Sequence, residues 1–177
     1  SAAGASSDRV GWAALMDATS RTRNVKSRIW VYLSGLTVTG SPTFIFGDQP
    51  SRLSQSSPTI RAIIDFDPGV WDGRFSATQI VYRTPVILTL DLFWPVGSST
   101  TTDIIEIDTA ADVLSDAFRE RSLSFLDYAS DPASPATIAN ASIRFFRPVV
   151  SRRFPRESNY QRRQLVAEGE WHIRHTD

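Results

Sequence analysis

The 177-residue chain contains no cysteine and has only two histidines, one methionine and one lysine, Lys26. The lack of cysteine excludes a disulfide framework, a thiol nucleophile and a thiolate metal site. The two histidines, His172 and His175, lie three positions apart on a predicted strand, so their side chains point to opposite faces and chelate poorly. The sequence therefore predicts no metal site and no cofactor.

Other absences exclude further classes of protein. No apolar run approaches the ~18 residues that a membrane span needs, and residues 1–7 lack the basic and apolar regions of an intact signal peptide. Glycine-rich phosphate loops and the Gly-x-Ser-x-Gly nucleophile motif are missing. Asp65 and Asp67 share one face of a predicted strand and could form a carboxylate pair, but a solvated face beside a turn is the simpler interpretation. We expect neither enzymatic activity nor a membrane partner.

The composition supports a folded domain, because 41% of the residues are hydrophobic and 11% are aromatic. We predict a single domain over residues 23–177, preceded by an extension over 1–22 that holds a short helix from Asp8 to about residue 18. Helices are predicted over 23–36 and over 109–121, with Asp108 as the cap of the second helix after a polar linker.

Strands dominate the rest of the pattern. They are predicted over 43–46, 59–67, 79–94, 138–150 and 160–174, with a bend or bulge at Pro85. In the last of these, alternation places Leu165, Ala167, Gly169, Trp171 and Ile173 on one face. Runs of strands interrupted by one helix predict an α+β fold, with a mostly antiparallel or mixed β-sheet and helices packed on one face.

Charge is balanced overall but not along the chain. There are 19 basic and 19 acidic residues, which argues against a dedicated nucleic-acid binder and predicts no sequence-specific nucleic-acid partner. Residues 101–131 hold eight acids against two arginines, and residues 141–177 hold eight arginines against four acids. The arginine-rich end fits nucleic acid, a protein interface or a solvated hairpin, and the matching acidic region favours the interface, because one copy's acids could meet the next copy's arginines.

The candidate interface residues follow from that charge division. Arg152, Arg153 and Arg156 are predicted to lie on a loop over 151–158 that contacts a partner or an adjacent subunit. Arg147, Arg162 and Arg163 are predicted to flank the loop. The opposing charges are predicted on the helix, at Asp112, Asp116 and Glu120.

The order of elements resembles a known family. The segments that carry the resemblance are Val31-Tyr32-Leu33-Ser34-Gly35-Leu36, Phe44-Ile45-Phe46-Gly47-Asp48-Gln49-Pro50, the strand over 59–67, the strand over 81–94 running out to Pro95, the helix over 109–121 and the closing Glu168-Gly169-Glu170-Trp171. In this order they are similar to the tail terminator, or tail completion, proteins of long-tailed bacteriophages and related tail-like particles. The resemblance covers residues 23–174, and the segments 1–22 and 47–58 exceed the compact family pattern.

The resemblance implies a structural virion protein assembled in the host cytoplasm. It implies a hexameric ring of identical copies at the head-proximal end of the tail tube, which halts tube polymerisation and docks to the neck. Its partners are then further copies of itself, the tail tube protein and a neck or connector protein. Two alternatives remain open: another neck, connector or tail-tube ring protein, and a monomeric β-rich ligand-binding module that uses exposed aromatics such as Trp71 or Trp94.

Overall fold

The computed structural model describes residues 17–47, 53, 56–69, 72–75, 79–96, 100–157 and 159–176. Two helices and eight strands lie in these ranges. In chain order they are α1 (Ala18–Ser34), β1 (Thr43–Phe46), β2 (Thr59–Asp65), β3 (Asp72–Phe75), β4 (Gln79–Pro95), α2 (Thr100–Phe118), β5 (Ser122–Leu126), β6 (Thr137–Phe145), β7 (Val150–Arg153) and β8 (Tyr160–Thr176).

The strands form one mixed sheet built around the long antiparallel pair of β4 and β8, which stays in register from Gln79↔Thr176 to Pro95↔Tyr160. Along half of this pair the order is β1-β2-β4-β8-β7, and along the other half it is β3-β4-β8-β6-β5. Only β1 and β2 run parallel; the other neighbours are antiparallel. The predicted α+β class with a mixed sheet is confirmed.

Both helices cover the same face of the sheet, as predicted. Alternation in β4 places Val86, Leu88, Leu90, Leu92 and Trp94 on that face, all of them buried. The buried side chains of α1 and α2 join these residues in a single core. We call this side the covered face and the other side the open face.

At Gly169 in β8, the backbone of β6 approaches so closely that there is no room for a side chain. A Cβ atom at this position would lie 2.5 Å from the carbonyl oxygen of Arg144 in β6, closer than such atoms come in real structures. Gly169 therefore allows β6 and β8 to pair tightly beside Trp171, which is fully buried against Phe66 and Phe125.

Helix boundaries differ from those predicted. Asp17 caps α1, its carboxylate accepting the Ser20 N–H at 2.8 Å, so the helix starts five residues before residue 23 and includes part of the predicted extension. The predicted helix from Asp8 lies almost wholly outside the described residues. In the second helix, Asp108 is not a cap, because α2 already begins at Thr100 and takes in part of the predicted linker.

Strand boundaries also differ. β4 runs through Pro85 in unbroken register with β8, without a bulge there. On its other side β2 ends at Asp65↔Ile87 and β3 begins at Asp72↔Arg83, so neither of them pairs with Pro85. β3 and β5 were not predicted from the sequence; in β5, Leu123 and Phe125 are buried and alternate with exposed serines. The strand predicted over 138–150 ends at Phe145 as β6, and β7 begins at Val150 and extends into the predicted loop over 151–158. β6 and β7 pair with successive stretches of the same edge of β8.

Candidate functional site

The arginine-rich end is built mainly from strands, and the loop predicted over 151–158 is partly wrong. Arg152 and Arg153 lie on β7, an edge strand whose four residues are all exposed, and Arg156 follows in the connection to β8. Register with β8 sets their directions, because Arg152 pairs with Gln164 on the open face and Arg153 pairs with Arg163 on the covered face. The two neighbouring arginines therefore point to opposite sides of the sheet.

On the covered side, Asp108 of α2 binds two arginines. Arg153 donates to both carboxylate oxygens at 2.6 and 2.7 Å, and Arg163 donates to Oδ1. Arg163 also donates to the hydroxyl of Ser151 at 2.7 Å. This arrangement, the Asp108 clamp, fixes the edge strand β7 to α2 and neutralises one of the two positive charges.

On the open face, Asp91 of β4 organises a second group. Asp91 is 6% exposed and accepts hydrogen bonds from Gln164 at 2.9 Å and from Arg162 at 3.4 Å. The Arg162 guanidinium lies 4.4 Å from the ring centroid of Phe154 and 5.4 Å from that of Phe93. Ion pairing and cation–π contacts within the chain engage Arg162, so it is a structural residue of the open face.

The remaining candidates divide into neutralised and unneutralised residues. Arg147 donates to Glu168 at 2.7 Å, and Asp116 pairs with Arg119 at 3.2 Å on the exposed surface of α2. Within the described parts of the chain, four further candidates make no ion pair: Arg152, Arg156, Asp112 and Glu120. The predicted acids do not pair with the predicted arginines within the described parts of the chain; Asp108, Asp91 and Glu168 pair with them instead.

Asp112 and Asp116 lie on the outer surface of α2, whereas Glu120, which was predicted on the helix, follows its end in a turn with a positive φ of 49°. We call Asp112, Asp116 and Glu120 the acidic ridge. All three are exposed, whereas Ala110, Leu114 and Ala117 turn into the core. Arg152 and the acidic ridge are therefore separated by the thickness of the sheet. Their charges remain available to other molecules or other copies.

Other sequence candidates have structural roles. Trp94 is 1% exposed and belongs to the core, which excludes it as an exposed ligand-binding aromatic, and Trp71 lies outside the described residues. Asp67 accepts the Gly69 N–H at 2.9 Å in a turn; with Asp65, Pro85 and Ile87 it lines a shallow recess beside the gap between β2 and β3. This is the turn-flanking surface that the sequence predicted.

His172 occupies the open face near the other end of β8. Its ring nitrogens lie 3.3 and 3.4 Å from the hydroxyl of Ser142, its partner on β6. Burial and the nearby positive charge of Arg144 lower the pKa of His172 below its usual value, while Glu170 opposes the shift. Burial and, to a smaller extent, the neighbouring arginines therefore favour the neutral form of this imidazole.

The side chain of His175 lies outside the described residues, and the described part of the chain has no group of three or more metal-binding side chains. Neither helix in the described ranges is long and apolar enough to cross a membrane.

Comparison with known families finds no model that matches the chain, and a search of curated proteins finds no match. The geometry above is therefore the basis of the functional proposal.

Proposed function

We propose that this protein is a structural subunit that assembles into a ring, acting as a tail terminator at the head-proximal end of a phage tail tube or related particle. The observation that carries the proposal is the incomplete neutralisation of charge within the subunit. Arg152 and Arg156 at the β7 edge have no ion-pair partner among the described residues, and the acidic ridge lies on the opposite side of the sheet. Such a subunit presents two surfaces of opposite sign to its neighbours.

These two charged surfaces are better suited to binding other protein molecules than to catalysing a reaction. Arginine forms persistent contacts with carboxylates through its planar fork, and a contact between two different surfaces of identical copies repeats around a ring. Arg153, Arg163 and Arg162 are already engaged by Asp108 and Asp91 within the chain. Arg152 and Arg156 are left to meet a neighbouring copy or the tube and neck partners.

Charge reversal tests the role of the free arginines. We expect Arg152→Glu combined with Arg156→Glu to weaken ring formation or the joining of tails to heads, measured by native mass spectrometry and by electron microscopy of particles. The matched control is Arg23→Glu, which reverses an exposed arginine on α1, away from both surfaces. Unchanged assembly and unchanged infectivity in the double variant would contradict the proposal.

Micrographs of tails made without this protein separate the terminator from its alternatives. Overlong tubes support a terminator, because tube growth then lacks its stop. Tubes of normal length that fail to join heads indicate a neck adaptor instead. Normal, infectious particles contradict any role in the tail.

A further inference from the structure

The two ends of one half of the sheet are strand edges. In the order β1-β2-β4-β8-β7, both β1 and β7 are four residues long and pair on one side only among the described residues. An unpaired edge exposes a row of backbone donors and acceptors that can bind another strand. We call the outer sides of these strands the β1 edge and the β7 edge.

Backbone hydrogen bonds show which residues form each edge. The Phe154 N–H donates to the Arg162 carbonyl, so alternation turns the backbone groups of Ser151 and Arg153 away from β8. On the other side, the N–H groups of Thr43 and Gly47 donate to Pro58 and Ala62. The backbone groups of Phe44 and Phe46 therefore face outward from β1.

Strand directions make the two edges complementary between copies. β1 runs parallel to β2, and each of the other steps across this half of the sheet is antiparallel. When a second copy in the same orientation is placed beside the first, its β1 runs antiparallel to the β7 that it meets. This is the stronger of the two ladder types, and it needs no reversal of the neighbouring copy.

Side chains favour pairing between unlike edges. Two β7 edges would place Arg152 and Arg153 of one copy against those of another, which like-charge repulsion disfavours. β1 carries no charged residue, and Ile45 lies on the open face like Val150, which is 51% exposed. Opposing Val150 to Ile45 also brings the outward backbone groups of Ser151 and Phe44 face to face, so the hydrophobic pattern and the hydrogen-bond phase agree.

We propose that the β7 edge of one copy adds to the β1 edge of the next, extending the sheet from subunit to subunit. The contact joins two different edges, so it repeats from copy to copy and closes into a ring when the rotation between copies allows. This inference rests on the proposed ring function and names the surface through which copies meet. The acidic ridge, on the covered side of the subunit, remains free for the tube or neck partner.

Engineered cysteines test the contact directly, because the natural chain has none. Ile45→Cys and Val150→Cys are placed together in the full chain, where four strand spacings of about 4.8 Å keep them roughly 19 Å apart or more, too far for a disulfide within one copy. Mild oxidation should give a ladder of covalent oligomers on a non-reducing gel. Ile45→Cys with Arg152→Cys tests the register displaced by two residues, and a ladder from either pair supports the proposal.

Single-cysteine variants, and a cysteine pair on two surfaces that the proposal does not bring together, serve as controls. Val31→Cys with Val150→Cys combines two exposed sites, one of them on α1, and should give no ladder. Dimers from Val150→Cys alone would indicate pairing of two β7 edges and would overturn the proposal. Rings seen by native mass spectrometry without a ladder overturn the edge contact but leave the ring function standing. A chain that stays monomeric and gives no ladder overturns the contact and counts against the ring as well.

A proline provides a second, independent test. Ser151→Pro removes an outward N–H and the hydroxyl that accepts from Arg163, whereas Ser151→Ala removes only the hydroxyl. We expect the proline variant to need roughly tenfold more protein to form rings, equivalent to one lost hydrogen bond of about 1.4 kcal/mol, while the alanine variant stays near wild type. Equal assembly of the two variants, with both folded by circular dichroism, would overturn the proposal.

Discussion

The two faces of the sheet use the same strands for different purposes. On the covered face, β4 and β8 present fully buried side chains such as Leu88 and Trp171. On the open face, the intervening residues form cross-strand rows of polar groups, including Arg61, Asp91, Gln164 and Arg152 in one row and Arg83, His172 and Ser142 in another. The period-2 alternation of a strand separates these sets completely.

The difference shows where stability is concentrated. Burial of large apolar side chains contributes most of the stabilisation, so we expect it to be concentrated on the covered face. Most side chains of the polar rows on the open face are partly exposed, and their individual contributions are small; Asp91, which is buried and paired with Arg162, is the exception among the residues named here. Residues there and at the sheet edges can therefore serve contacts with other molecules without threatening the fold.

Trp171→Ala should produce the largest loss, because it empties the centre of the covered face between Phe66 and Phe125. We expect a decrease of about 3–5 kcal/mol in the free energy of unfolding, and a melting temperature lower by roughly 10 °C. Thermal and urea denaturation measure both quantities. Trp171→Phe, which keeps an aromatic ring, should lose less than half as much; equal losses would show that filling this site is unimportant.

The same alternation explains how much the sequence could predict. β8 was predicted nearly to its ends, because Leu165, Ala167, Gly169, Trp171 and Ile173 repeat every second position and all turn to the covered face. β5 was missed, since five residues with two buried side chains look the same as the end of a helix until β6 lies beside them. Local patterns therefore predicted the long strands and the short strand β1 well, but gave no signal for β5.

Pairing between charges was less predictable than the fold. Asp108 looked like a helix cap, but α2 begins eight residues earlier and places this carboxylate within hydrogen-bonding distance of Arg153 and Arg163. Asp91 carried a signal in the sequence, an acid between Leu90 and Leu92 in an apolar run, yet its partner Arg162 comes 71 positions later. The composition predicted ion pairs between arginines and carboxylates. Which carboxylate each arginine binds depends on the register of strands that are far apart in the chain.

Asp108→Ala tests the Asp108 clamp between α2 and β7, and it should have an intermediate effect on the free energy of unfolding. It removes the shared acceptor of Arg153 and Arg163, and we expect a loss of about 1 kcal/mol, discounted because the carboxylate and Arg153 are partly exposed. Hydrogen exchange of β7 backbone amides should accelerate more than that of β4. Asp112→Ala, on the same helix without an ion pair among the described residues, should stay within about 0.5 kcal/mol of wild type. Equal behaviour of the two variants would contradict the Asp108 clamp.

His172→Gln should produce the smallest effect, visible mainly in its dependence on pH. The pKa of His172 is lowered in the folded protein by burial and Arg144, with smaller contributions from Arg83 and Arg174, and Glu170 raises it in part. As the pH falls through about 6.5, the unfolded chain binds a proton before the folded chain does, so stability decreases. Urea denaturation between pH 8 and pH 5 should show a shallower decline in His172→Gln than in wild type, with the two nearly equal at pH 8. Ser142→Ala keeps the imidazole and should retain the wild-type slope; an unchanged slope in His172→Gln would show that the open face holds this histidine no differently from solvent.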